Sequence, residues 1–110
     1  MKFAIPLAEG KLTAHFGHCK EFAIVDADER GVRGKEILIP PPHEPGVLPK
    51  WLHDQGANVV IAGGMGQRSQ QLFEANDISV IIGAPVMTPE ALVESYLNKT
   101  LVSGENICDH

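Results

Sequence analysis

Little in this chain supports a nucleic-acid, membrane or disulfide reading. Aromatic residues are only 5% of the 110 positions, four Phe, one Trp and one Tyr, so the core has to be built mainly from Val, Ile, Leu and Ala. Positive charge is also short. Nine Lys and Arg against fourteen Asp and Glu leave a formal net charge of −5, which argues against the basic face that nucleic acid or an anionic membrane would need. No apolar run approaches the roughly 20 residues that span a bilayer. The opening Met1-Lys2-Phe3-Ala4-Ile5-Pro6 is broken by proline before the apolar stretch of a secretion signal can form. A cytoplasmic location is therefore expected, where the two cysteines stay reduced rather than paired. Repeats and low-complexity tracts are missing too, and the one compositional break, Pro40-Pro41-Pro42-His43-Glu44-Pro45-Gly46, reads as a stiff loop. A chain of 110 residues is expected to be one domain whose core needs no staples.

What little sulfur there is stands beside imidazole. His15-Phe16-Gly17-His18-Cys19 puts two histidines and one of the two thiols within five residues, and Cys108-Asp109-His110 repeats the association at the end. One short loop with soft sulfur and borderline nitrogen donors can present several ligands to a single metal or metal–sulfur centre. Loop histidines are also commonly no more than solvated side chains, so the pattern names candidates: His15, His18 and Cys19 first, Cys108 and His110 second.

The order of elements indicates where such a centre would sit. Residues 2–8, 21–27 and 32–39 read as strands of an antiparallel meander, with Asp28-Glu29-Arg30-Gly31 as one turn. After the proline loop, helical spacing of Val47, Leu48, Trp51 and Leu52 predicts a helix over 47–55, stopped by Gly56, with Trp51 packing it on the sheet. Two aliphatic runs, 58–62 and 79–83, flank a helix near 66–75, the mark of a βαβ unit with parallel strands. A last helix over 89–98 opens with Thr88 as N-cap, Pro89 at its first position and Glu90 behind. The expectation is an α/β layered domain with a mixed five-stranded sheet, its second strand antiparallel, and three helices. If the first strand lies beside the fourth, the spatial order is 3-2-1-4-5, with a topological switch between those two.

Open α/β sheets bind ligands at such a switch, outside the carboxyl ends of the strands. Two loops leave the sheet there, the histidine–cysteine loop and Gly63-Gly64-Met65-Gly66-Gln67-Arg68-Ser69. The second opens a helix, so its amides and the positive end of the helix dipole suit an anion, with Arg68 adding formal charge. Glycines after a strand also serve plain tight turns, and Met65 is ordinarily core filler, so both readings of this loop stand. The run nearly matches a dinucleotide fingerprint, with serine for the third glycine, but Gly83-Ala84-Pro85 occupies the place of the acidic partner. His43 and His53 read as surface residues, His43 alone being within possible reach of the site.

These segments resemble those of the dinitrogenase iron–molybdenum cofactor biosynthesis family, the small domain of NifX-type proteins and of the C-terminal part of NifB-type proteins. The resemblance is carried by His15 to Cys19, by Val59-Val60-Ile61-Ala62-Gly63-Gly64-Met65-Gly66 with Arg68, and by Ser103-Gly104-Glu105-Asn106-Ile107-Cys108-Asp109-His110. It implies a ribonuclease-H-like fold and a protein that binds or carries an iron–sulfur or molybdenum-containing cluster. Carried over by position, the cofactor-binding region falls on Gly63, Gly64, Met65, Gly66, Gln67 and Arg68 and on the loop with His15, His18 and Cys19. The closing segment is similar to that of short stand-alone members. The expected partners are cofactor-assembly or acceptor proteins, the expected state a monomer or weak homodimer, and no enzymatic activity is expected.

The competing class is a metal-dependent hydrolase or phosphodiesterase on the same sheet. Its magnesium ions require clustered carboxylates, and the first strand has none, while Asp26 and Asp28 close the second strand away from the expected crevice. A Cys19 nucleophile activated by His15 or His18 lacks an identifiable orienting or oxyanion partner. Residues from about 100 to 110 are expected to form a mobile tail, able to return to the loaded site and offer Cys108 or His110.

Overall fold

Strand side chains alternate between two apolar layers, and this alternation organises residues 1–13, 20–41 and 46–98, the part of the chain that a computed structural model describes. The elements are β1 (Lys2–Ala8), β2 (Lys11–Leu12), β3 (Glu21–Asp28), β4 (Gly31–Leu38), α1 (Val47–Asp54), β5 (Val59–Ile61), α2 (Gln67–Ala75), β6 (Ser79–Ile81) and α3 (Pro89–Leu97). The sheet runs β4-β3-β1-β5-β6, with β2 paired to β1 off this path. It has six strands where five were expected. The extra strand is a two-residue return of the chain onto β1, with Leu7 opposite Leu12, made possible by left-handed Glu9 (φ 56°) and Gly10 (φ 83°). Two residues are too few to show a period of two.

β1 is antiparallel to β3 and parallel to β5, and β5 is parallel to β6. Phe3, Ile5, Leu7, Ala23, Val25, Val59 and Ile61 face one side, where Leu92 and Val93 of α3 complete the layer. Ala4, Phe22, Ile24 and Val60 face the other, against Leu48 and Leu52 of α1 and Phe73 of α2. The scarce aromatics are shared between the layers. Phe3 meets Tyr96 edge-on at 5.1 Å on the α3 side, and Phe22 meets Trp51 at 5.9 Å on the α1 side, contacts worth about 0.5–1.5 kcal/mol beyond area burial. Trp51 thus packs α1 on the sheet as its spacing indicated.

α3 begins as its sequence predicts. Thr88 caps it by accepting the Ala91 N–H at 3.4 Å, Pro89 leads, and Glu90 stands in the first turn. Glu90 also takes a hydrogen bond from Lys35 of β4 at 2.9 Å, fastening the helix start to the edge strand. His53 is exposed, and its Nδ1 lies 3.0 Å from the Asn76 carbonyl. It joins the ends of α1 and α2, at the end of the sheet where β1 starts.

Candidate functional site

Because β1, β5 and β6 are parallel, their carboxyl ends share one edge of the molecule, and three connections meet there. Past β1, the Thr13 N–H donates to the Pro6 carbonyl at 3.0 Å and the Lys20 N–H to the Leu7 carbonyl at 3.3 Å. Both described residues that flank 14–19 are therefore fastened to the end of β1. Past β5 comes Gly63-Gly64-Met65-Gly66. Past β6, Gly83 donates to the Gly63 carbonyl at 2.9 Å and Ala84 to the Ala62 carbonyl at 3.2 Å, while the Leu12 N–H reaches the Met87 carbonyl at 3.0 Å.

These bonds settle where the glycine amides point. In a trans peptide the carbonyl of one residue and the N–H of the next are antiparallel, and no described peptide bond is cis. The carbonyls of Ala62 and Gly63 are turned to the connection after β6, so the N–H groups of Gly63 and Gly64 are turned away from it. With β5 lying between β1 and β6, they face the β1 side. The Met65 carbonyl accepts from Gln70 Nε2 at 3.0 Å, which turns the Gly66 N–H away from Gln70.

The amides of α2 continue the series. Gly66, at the N-cap with φ −63° and ψ 150°, supplies no side-chain hydrogen bond, and the first turn holds no acidic residue. The opening N–H groups of a helix have no acceptor within it, and among the described residues no side-chain cap replaces one. Arg68 is exposed at the same turn.

A left-handed turn does not explain these glycines. The described glycines with positive φ are Gly10, Gly31, Gly46, Gly56 and Gly83; Gly63, Gly64 and Gly66 are not among them. The left-handed position at this edge is Gly83 (φ 74°), after the next strand. Gly63 and Gly64 are buried and Gly66 is half-buried, and without Cβ atoms their backbone can be approached closely by whatever packs on it. Met65 contributes differently, since its side chain is wholly buried with Phe73 and Leu48 in the α1 and α2 layer. Its thioether is core; its backbone carries the loop.

His15, His18 and Cys19, together with His43, Cys108 and His110, lie outside the described residues, as does the expected tail over 100–110. Both thiols and every histidine except His53 are in that group. Among the described residues, no three His, Cys, Asp or Glu side chains are placed to hold a metal ion. Several carboxylates are engaged elsewhere. Asp26 is level with Lys2, where β1 begins, 3.9 Å from the N-terminal ammonium. Asp28 is bonded by Arg33 Nε and by the Arg30 N–H, each at 2.8 Å; the Arg33 bond first, then the Arg30 N–H, holds its carboxyl below the usual range. Glu90 is lowered chiefly by Lys35.

Three contributors carry no functional signal in the sequence. Gly83 and Ala84 stand where a dinucleotide fingerprint would have its acidic residue, yet their amides orient the glycine loop. Gln70 carries no local signal, because a side-chain bond to the carbonyl five residues back belongs to no helical repeat.

A family model described as dinitrogenase iron–molybdenum cofactor matches residues 1–99. The uncharacterized protein MJ0580 of Methanocaldococcus jannaschii is 29% identical over 85 residues, covering 73% of this chain and 72% of that protein. The crystal structure of PH0822 superposes with a TM-score of 0.85 at 28% identity, over 94% of each chain. The apo form of the orange protein from Desulfovibrio gigas superposes at 0.73 with 22% identity, over 96% of this chain and 93% of that one; this second likeness is one of fold.

Proposed function

The chain belongs to the dinitrogenase iron–molybdenum cofactor family, and from that premise we propose that it binds and carries a metal–sulfur cluster, iron–sulfur or molybdenum-containing, as an accessory of metallocofactor assembly and not as an enzyme. The observation that carries this reading is the run of amides at Gly63, Gly64 and Gly66, turned out of the strand hydrogen bonds and leading into an uncapped helix. Sulfide-rich clusters are anionic. Fixed N–H dipoles and a helix start stabilise negative charge without the desolvation of a buried cation, and Arg68 adds attraction at the rim.

In this account Cys19 is the principal soft ligand, with His15 and His18 as further donors and Cys108 and His110 as conditional ones. Thr13 and Lys20, the described residues on either side of that loop, are both bonded to the end of β1, which supports bringing these donors to the edge that the glycine loop shares. The cargo would then be gripped by ligation from one loop and by amides from the other. Its partners are the proteins that deliver and accept the cluster, in the cytoplasm, and the sheet order β4-β3-β1-β5-β6 supports a ribonuclease-H-like assignment. The engaged carboxylates at Asp26 and Asp28 support a carrier over a magnesium-dependent hydrolase.

Purification without oxygen, followed by elemental analysis and an absorption spectrum, tests this. Iron or molybdenum together with sulfide and charge-transfer bands is the expected result, and Cys19→Ser is expected to lose most of the metal with an unchanged circular dichroism spectrum. Protein that takes up no cluster on reconstitution but cleaves a phosphodiester would overturn the carrier reading. Unchanged metal content in Cys19→Ser would remove that residue from the site.

A further inference from the structure

Gln70 sits one turn inside α2 and holds two consecutive carbonyls. Its backbone N–H donates to the Gly66 carbonyl at 3.1 Å, the first helical bond, which any residue but proline would supply. Its side-chain Nε2 donates to the Met65 carbonyl at 3.0 Å, which needs an amide donor of this length. The consequence falls on the peptide between Met65 and Gly66. With its carbonyl held toward α2, its N–H is held in the opposite sense. That bond is one restraint on the peptide, and because the peptide is flanked by a residue lacking Cβ, its loss lowers the cost of rotating the carbonyl toward where the N–H had been. A carbonyl oxygen there would repel an anion that the N–H attracts.

We propose that Gln70 is a positioning residue for anionic cargo: it touches no cluster itself, and it keeps the Gly66 N–H turned toward one. This inference rests on the cargo reading and adds to it a residue outside the glycine loop. It also accounts for a long polar side chain that is half-buried on a helix face rather than extended into water.

The test uses the full chain, Gln70→Leu, which keeps the bulk and loses the donor, and Gln70→Asn, which keeps the amide on a side chain too short to reach. Tetrathiomolybdate, a small molybdenum–sulfide dianion, is the probe. A hydrogen bond to a charged group is worth about 1.5–3 kcal/mol, so both variants should bind at least about tenfold more weakly. Residual dipolar couplings in the unloaded proteins should show the Gly66 N–H reoriented while other amides of α2 keep their directions, a change that loss of packing alone would not confine to one peptide. A parent that binds while both variants bind equally well, with the Gly66 coupling unchanged, overturns the role of Gln70. A parent that takes up no tetrathiomolybdate overturns the cargo reading, and this role with it.

Discussion

Two helices of this protein start at the same edge of the sheet, each after a parallel strand, and they start in opposite ways. α3 is closed. Thr88 accepts an amide, proline removes another donor, and Glu90 answers the helix dipole while binding Lys35 across to β4. α2 opens on Gly66 with no cap and no acidic residue, behind a loop whose amides are directed out of the strand bonds by Gly83, Ala84 and Gln70. Local stability favours the first arrangement everywhere. An uncapped start beside glycines that no left-handed conformation requires is where the fold leaves donors available, and an anionic cargo is what would use them.

The comparison can be broken by exchanging the two chemistries. Gly66→Asp would give α2 the cap it lacks, at a backbone conformation that aspartate adopts readily. Cluster affinity should fall at least about tenfold, because the new carboxylate competes for the amides and repels the cargo. Thermal stability should rise by a few tenths of a kcal/mol. Opposite signs in the two measurements are the signature; a variant that loses stability and affinity together would mean the loop is merely damaged.

Thr88→Ala is the complementary change. Loss of an N-cap costs about 1 kcal/mol, read by denaturant melts, while cluster retention should match the parent. A smaller effect is expected from Glu90→Gln. Its carboxylate is about half exposed, at 46% for the side chain, so the bond to Lys35 should contribute no more than about 0.5 kcal/mol. Since Lys35 holds the Glu90 carboxyl below its ordinary range, that contribution is fully present above the unfolded glutamate's pKa. It disappears as pH falls through the lowered folded value. Melts of parent and variant should therefore differ at neutral pH and converge in acid; a difference that grows on acidification would contradict the assignment.

The same contrast separates what was legible in the sequence from what was not. The α3 start could be read directly, because capping is a short-range chemistry in which Thr88, Pro89 and Glu90 declare themselves by position. The glycine loop was visible as a run of residue types, but whether it turned or cradled depended on backbone angles and on bonds from Gly83, more than fifteen positions on, whose effect no local pattern encodes. β2 was too short to carry alternation. Met65 could equally have faced the crevice or the core, and the deciding fact was tertiary, the space beside Phe73 and Leu48. For His15, His18, Cys19, Cys108 and His110 the sequence supplied the donor chemistry, and the described residues add that Thr13 and Lys20, on either side of residues 14–19, are bonded to the end of β1.

The central claim is that the start of α2, and not that of α3, receives the cargo. Amide resonances of the full chain, followed while tetrathiomolybdate is added without oxygen, test it most directly. The account predicts large shifts at Gly63, Gly64, Gly66, Gln67 and Arg68 that saturate with the metal, and little change at Pro89-flanking Glu90 and Ala91. Shifts centred on Glu90 and Ala91, or saturation with the glycine-loop amides unmoved, would contradict it.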